Sequence, residues 1–358
     1  MFSLIDEIKD VGFCFTCYGD TLFYSRENQL FSCDTQLNWK VFMPDRIQNI
    51  MIINSTIYCG LMNQTATVEL HSGKNIEVFD FKIQHGKSSS GLFSAVVRDN
   101  NSSTSVLIDP QTNSKVWESD ERMGMVYIHN DRLIKSKFRN KRSLSCQDIN
   151  SNVGLWEFDV SDYANYYDMR KELQEGLISC IMGVLNEVLI ISLTSGKLLG
   201  VGLGTGNLLY QIGFTETELP QLPFIVSEGD HIPYGELMQL DQQKEEIFGL
   251  RDHYFFHVDL TAKDLRRQYF DIGTSMNAYG INAKYRNTEY PYDESYIYFC
   301  DDRQGKIGVF DRKRKEVVWS TQLDIEQEGI AQILEMKFAN NRWYVLDRHN
   351  TLHIFEKT

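Results

Sequence analysis

The chain has 358 residues, of which 42% are hydrophobic and 24% charged, a balance that fits a folded globular protein and excludes a disordered chain. Its formal charge of −13 argues against nucleic acid as a partner, because phosphate contacts need clustered Lys and Arg. The same charge favours another protein with a neutral or basic surface as the partner.

The N-terminal segment "MFSLIDEIKDVGF" places acids where a secretory signal needs a basic run, so a cytoplasmic location is expected. The longest apolar stretch, 176–193, is broken by Asn186 and Glu187 and reads as two strands rather than a membrane helix, so no membrane insertion is expected. The seven cysteines are scattered and mostly flanked by strand-forming residues, as expected for buried reduced thiols. Cys14 and Cys17 have CxxC spacing, but residues i and i+3 of a strand point to opposite faces, which speaks against one metal or redox site.

Taken in chain order, short strands alternate with polar turns, and one hairpin recurs. "DPQTNSKVW" (Asp109 to Trp117), "DINSNVGLW" (Asp148 to Trp156) and "DRKRKEVVW" (Asp311 to Trp319) each place seven residues between an acid and a Trp. Looser copies lie around Asp34 and Trp39, around Ser72 and Gly73, and around Asp259. A copy in 197–213 has Gly202 at the acid position and Tyr210 at the Trp position, and the chain ends on a truncated copy near Glu356. Four of the five tryptophans thus share one position of one repeat.

A second strand pair precedes most copies, as in "IQNIMIINSTIYCGL", "LISCIMGVLNEVLIISL" and "QILEMKFANNRWYVLD". Each repeat is therefore four short strands. Seven steps separate Asp34 from Glu356, about 46 residues each, the period of a propeller blade. The expected fold is an all-β β-propeller, one domain spanning 1–358, with eight four-stranded blades. Seven blades is the alternative, because the stretch before Asp109 shows one clear strand. The last copy lacks a fourth strand, and the N-terminal "FSLIDEI" can supply it and so close the ring.

The strand, acid, polar turn and Trp of "LIDPQTNSKVW" resemble the pyrroloquinoline-quinone-like repeat of quinoprotein-like propellers. The resemblance implies an all-β propeller, often eight-bladed. The family's enzymes hold the quinone with a metal, often beside adjacent cysteines, and are exported. This chain has no Cys-Cys pair, so the resemblance points to a cofactor-free, non-catalytic member that binds protein.

Other chemistry is thinly supported. The glycines at 200, 202, 204 and 206 do not meet G-x-G-x-x-G spacing, and no helix follows them. His253 and His257 on a strand stand roughly 13 Å apart, too far for one ion. The acid pairs 245–246 and 301–302 fall in segments that read as polar loops. The basic runs 135–142 and 311–315 fall on hairpins and read as solvated turns.

Two connections stand out by length and aromatic content, 161–176 after the fourth hairpin and 214–246 after the fifth. They are acidic and carry Tyr163, Tyr166, Tyr167, Phe224 and Tyr234, the expected partner-binding residues, with a short helix expected near 167–176. Tyr supplies contact area at low entropy cost, which suits an interface. A Tyr-rich stretch at 285–299 is expected between the first two strands of its blade. The expected function is a protein-binding scaffold, in one concrete form an immunity protein neutralising a basic toxin. The alternative is an enzyme or small-ligand receptor that uses polar residues around the central channel.

Overall fold

A computed structural model describes residues 2–358 except 13, 34–37, 85–86, 89–90, 100–101, 168–172, 214–237, 264, 266–267, 284–288 and 326–331. Of the nine sheets among the described residues, eight follow one another along the chain, with most strands joined to their neighbours in sequence order. These are the blades of a β-propeller: blade 1 (15–42), blade 2 (49–79), blade 3 (82–119), blade 4 (123–159), blade 5 (178–212), blade 6 (238–271), blade 7 (296–322) and blade 8 (333–357 with 2–8).

Blade 8 joins the two ends of the chain. Its fourth strand is Phe2–Ile8, antiparallel to Leu352–Lys357, so the N-terminal segment covers an edge that would otherwise expose unpaired N–H and C=O groups. Eight blades rather than seven follow from the stretch before Asp109. There Phe93–Asp99 pairs with Ser102–Asp109, and the first strand of that sheet shrinks to Lys82–Ile83. Blade 4 carries a fifth strand, Lys87–Ser88, parallel to Tyr127–Ile128. Among the described residues blade 7 has three strands, beginning with Tyr296–Asp301, so the Tyr-rich stretch 285–299 runs into that strand, with a bridge between Tyr292 and Ile297, rather than joining two strands of the sheet.

The repeat has a structural cause. Each acid ends the third strand and caps the turn with its own carboxylate: Asp109 accepts the Gln111 N–H at 2.8 Å, Asp148 that of Ser151 at 2.7 Å, and Asp311 that of Lys313 at 2.9 Å. Four residues past the acid position the backbone turns left-handed, at Gly73 (φ 67°), Asn113 (54°), Asn152 (59°), Gly206 (71°) and Lys315 (58°). That position also receives an aromatic from the preceding blade. A Cβ on Gly73 would meet the Trp39 ring at 2.6 Å, and one on Gly206 would meet Trp156 at 2.7 Å. Trp117 Nε1 donates to Asn152 Oδ1 at 2.8 Å, and Trp156 Nε1 to the Leu203 carbonyl at 2.9 Å. The tryptophan is a wedge between one blade and the turn of the next.

Contacts divide the chain into two compact units. The first comprises 1–83, 250–255 and 270–358. Its cores lie between successive sheets: Phe23, Leu30, Ile57 and Val68 between blades 1 and 2, and Phe15, Tyr24, Tyr344 and Leu352 between blades 8 and 1. The CxxC pair divides between them, since Cys14 belongs to the former core and Cys17 packs on the latter. Burial pushes the Cys14 thiol up to about 11 and that of Cys17 up to about 12, so both stay protonated. The second unit comprises 84–249 and 256–269. Leu107, Trp117, Ile128 and Leu133 fill the space between blades 3 and 4, and Ile134, Leu144, Leu189 and Leu199 that between blades 4 and 5.

Two loop assignments from the sequence need correction. The segment 214–246 is not one long loop, because Met238–Asp241 pairs with Glu246–Arg251 as the first strand of blade 6. A four-residue strand leaves too short an alternation to read. Asp301 and Asp302 are not in a solvated loop either: Asp301 ends a strand, and the two residues are 1% and 3% exposed.

Candidate functional site

The connection between blades 4 and 5 is built as a small element of its own. Asp159 ends the last strand of blade 4 and its carboxylate accepts the Ser161 N–H at 2.7 Å; hydrogen bonds from Ser161 hold that carboxyl below its ordinary range. A one-turn helix, Ser161–Ala164, follows, with the Val160 carbonyl accepting from both Tyr163 and Ala164 N–H. The chain then forms a two-stranded hairpin in which Tyr166 faces Gln174 and Tyr167 faces Leu173. Residues 167–176 are therefore not the expected helix, since Leu173–Gln174 is a strand; 168–172 lie outside the described residues.

The base of this hairpin is locked to the core. Ala164 and Val160 are fully buried, and Gly176 approaches the Ala164 carbonyl so closely that a Cβ would overlap it. Leu177 N–H donates to Thr194 Oγ1 at 2.9 Å, and Lys197 Nζ to the Tyr163 carbonyl at 3.1 Å, which ties the connection to blade 5. A rigid base carries a hairpin that takes no part in either blade.

The expected partner-binding residues fall into three groups. Tyr163 is half-buried, its ring stacked on Phe158 with centroids 6.0 Å apart and planes at 6°, and it packs against the core between blades 4 and 5. Tyr166 and Tyr167 form one strand of the separate two-stranded hairpin. Phe224 and Tyr234 lie outside the described residues. The alternation that marks a strand face cannot single out a Tyr that packs inward, as Tyr163 does, within an irregular connection.

Sequence reading missed a second cluster of titratable groups. His353 is 3% exposed and lies between two carboxylates, with Nδ1 2.7 Å from Glu7 Oε1 and Nε2 3.0 Å from Asp347 Oδ2. Burial works to lower its pKa, but the hydrogen bond and charge of Asp347, helped by Glu7, win and raise it. The trio therefore bonds the N-terminal strand to its neighbour in blade 8. His257 makes a comparable pair with Glu246, at 2.7 Å. His253 instead packs its ring at a 40° tilt against Tyr254, with centroids 4.2 Å apart, so the two histidines of the HxxxH spacing make separate contacts.

Among the described residues no three His, Cys, Asp or Glu side chains converge on a point that could hold a metal ion. The cysteines are all single, and Cys59, Cys146 and Cys300 are buried with thiols pushed up by burial. This donor set does not fit the metal-assisted quinone site that the repeat's resemblance brings with it. The first strands of the blades are instead rich in apolar side chains, among them Met51, Met123, Met125, Met182, Met238 and Met336. Among the described residues no helix is long and apolar enough to cross a membrane.

Comparison with known proteins agrees on the class of fold. No family model matches the chain, and no curated protein matches it in sequence. Solved structures do match along its length. BamB from Moraxella catarrhalis is 11% identical with a TM-score of 0.59, covering 100% of both chains. Saccharomyces cerevisiae Sqt1 is 9% identical with a TM-score of 0.61 over 99% of each chain. The β-propeller domain of Myceliophteria thermophila Cps50 (Swd1) is 12% identical, with a TM-score of 0.52 over 87% of this chain and 99% of that one. Identities this low establish the shared propeller fold and nothing finer.

Proposed function

We propose that this chain is a non-catalytic, cofactor-free propeller of the quinoprotein-like type that binds another protein through the acidic, Tyr-rich connections on either side of blade 5. The observation that carries the reading is the hairpin of 160–177. Its base is fixed by Ala164, Gly176, Leu177 and Thr194, while its strand Tyr166–Tyr167 belongs to no blade. A fixed base lowers the entropy cost of ordering such an element on binding. The connection 214–237 adds five acids and no Lys or Arg, beside Phe224 and Tyr234, a composition suited to a partner with a neutral or basic surface.

In its most specific form the protein works in the cytoplasm as an immunity protein that neutralises a basic toxin. Against the enzyme or small-ligand alternative stand the apolar side chains of the first strands, where that reading expects polar ones. The test is a pull-down from the native host with the double substitution Tyr166→Ala and Tyr167→Ala, which leaves the Tyr163 stack in place. Loss of a protein recovered by the unaltered chain is expected, and unchanged recovery of every partner would refute the assignment. The toxin form fails if the purified protein binds no basic protein encoded beside it.

A further inference from the structure

The charge of the molecule is not evenly spread. Within a chain of formal charge −13, residues 132–142 hold six cations and no acid: Arg132, Lys135, Lys137, Arg139, Lys141 and Arg142. The strand Arg132–Lys137 and the strand Asn140–Asp148 turn here through Phe138 and Arg139, with Arg139 in the left-handed region at φ 68°. Phe138 caps this turn and is 40% exposed, although nothing in the turn's geometry requires an apolar residue there.

Arg122 comes to the same turn from the connection that precedes blade 4. Phe138 N–H donates to the Arg122 carbonyl at 3.0 Å, and the Arg122 guanidinium lies over the Phe138 ring, 3.8 Å from its centroid. The Arg139 guanidinium lies 5.5 Å from the same centroid. Two arginines are thus held by one exposed ring, which orders them without consuming their N–H donors.

The acids nearby do not neutralise the group. Glu175 is engaged by Arg142, and Glu121 acts on Lys135, which is half-buried and lies over the Trp117 ring at 4.6 Å. Arg122, Lys137, Arg139 and Lys141 are exposed, and among the described residues none of them has a carboxylate partner. Solvated lysines on a turn need neither an exposed Phe nor an arginine brought from another segment.

We infer that the turn 137–141 with Arg122 is a docking surface for an acidic segment of a protein, read by two arginine forks ordered on Phe138. Carboxylates match the fork in bidentate geometry, and the aliphatic part of an acidic side chain can lie on the remaining ring surface. A nucleic acid fits less well. Its long run of phosphates meets the field of the remaining acids, and guanidinium groups already occupy the aromatic that a base would stack on. The turn is of opposite charge to the acidic connection 161–176, to which its neighbour Arg142 is tied through Glu175, and its reading of an acidic segment does not rest on the function proposed above.

Fluorescence anisotropy on the full chain tests it, with three labelled probes in low salt: a ten-residue Glu peptide, a ten-residue Gln peptide and a ten-nucleotide thymidine strand. The Glu peptide is expected to bind at least about tenfold more tightly than the Gln peptide, and to weaken steeply with added salt. The double substitution Arg122→Glu and Arg139→Glu is expected to weaken it about tenfold or more, and Phe138→Ala several-fold. Arg314→Glu, which alters a basic turn whose arginine is already paired with Asp311 and Glu316, is expected to leave it unchanged. Circular dichroism of each variant confirms folding. Equal binding of the two peptides, no loss in the folded double variant, an equal loss with Arg314→Glu, or tighter binding of the thymidine strand would each overturn the inference.

Discussion

Blade 8 and blade 5 reach the same four-stranded form with opposite means. Blade 8 fills the space beside it with large rings. Trp343 is fully buried and lies within 5.9 Å of Phe2, 5.4 Å of Tyr298, 6.3 Å of Trp319 and 6.2 Å of Phe355, centroid to centroid. Blade 5 has no tryptophan, and its third strand Leu198–Gly202 keeps its own backbone close instead. A Cβ on Gly200 would run into the Tyr210 ring, and Gly206 lies under Trp156. An aromatic wedge needs space opposite it, and the space comes either from rings that interlock or from side chains that are missing.

The contrast predicts where each blade breaks. Trp343→Ala is expected to have the largest effect, a loss of about 3–5 kcal/mol, because the surrounding rings cannot collapse into so large a void. Denaturant titration followed by Trp fluorescence measures it, and a loss near that of an exposed Trp would show that the cluster is not packed as described. In blade 5 the sensitive change is an addition. Gly200→Ala is expected to cost about 1–3 kcal/mol by overpacking against Tyr210. Combining it with Tyr210→Ala should then cost less than the sum of the two single changes, and strict additivity would sever the link between the glycine and the ring.

A smaller effect tests the wedge in blade 4. Asn152→Ala loses both the acceptor for Trp117 Nε1 and a residue that tolerates positive φ, for about 1–2 kcal/mol together. Asn152→Gly keeps the backbone and loses the acceptor alone, so it should fall between Ala and the original. If both variants unfold at the same denaturant concentration, the backbone demand is absent.

The smallest effect is a pH dependence in blade 8. The folded-state pKa of His353 is raised by Asp347 and Glu7, so its contribution is fully present below the unfolded value of about 6.5 and is lost as pH rises through the higher folded value. The Tm should therefore decline by a few degrees at most as pH is raised above neutrality, and this part of the decline should vanish in His353→Gln. An equal pH slope in both proteins would remove His353 from the closure of the ring.

Much of the fold was legible because it is local and repeated. Asp109, Asp148 and Asp311 cap turns within their own hairpins, and a left-handed residue four positions later recurs at a fixed spacing. Seven blades and eight diverged only at 82–99, where a first strand of two residues leaves no alternation to count. The candidate site was less legible. Length and Tyr content identified the connection 161–176, but the inward stack of Tyr163 on Phe158 depends on a one-turn helix that has no periodic signature.

The amino-acid sequence by itself determined the repeat unit and the residue types at its acid and wedge positions, since each rests on contacts within one hairpin or between successive ones, while the choice of eight blades over seven took the pairing of Phe93–Asp99. Only the tertiary structure decided which side chains meet across the chain. Glu7 and His353 are 346 residues apart, and Arg122 reaches Phe138 from a different strand connection. Asp301 and Asp302 read as polar yet are buried. Such pairings follow from how sheets close and connections fold back, and no local pattern of apolar and polar residues encodes them.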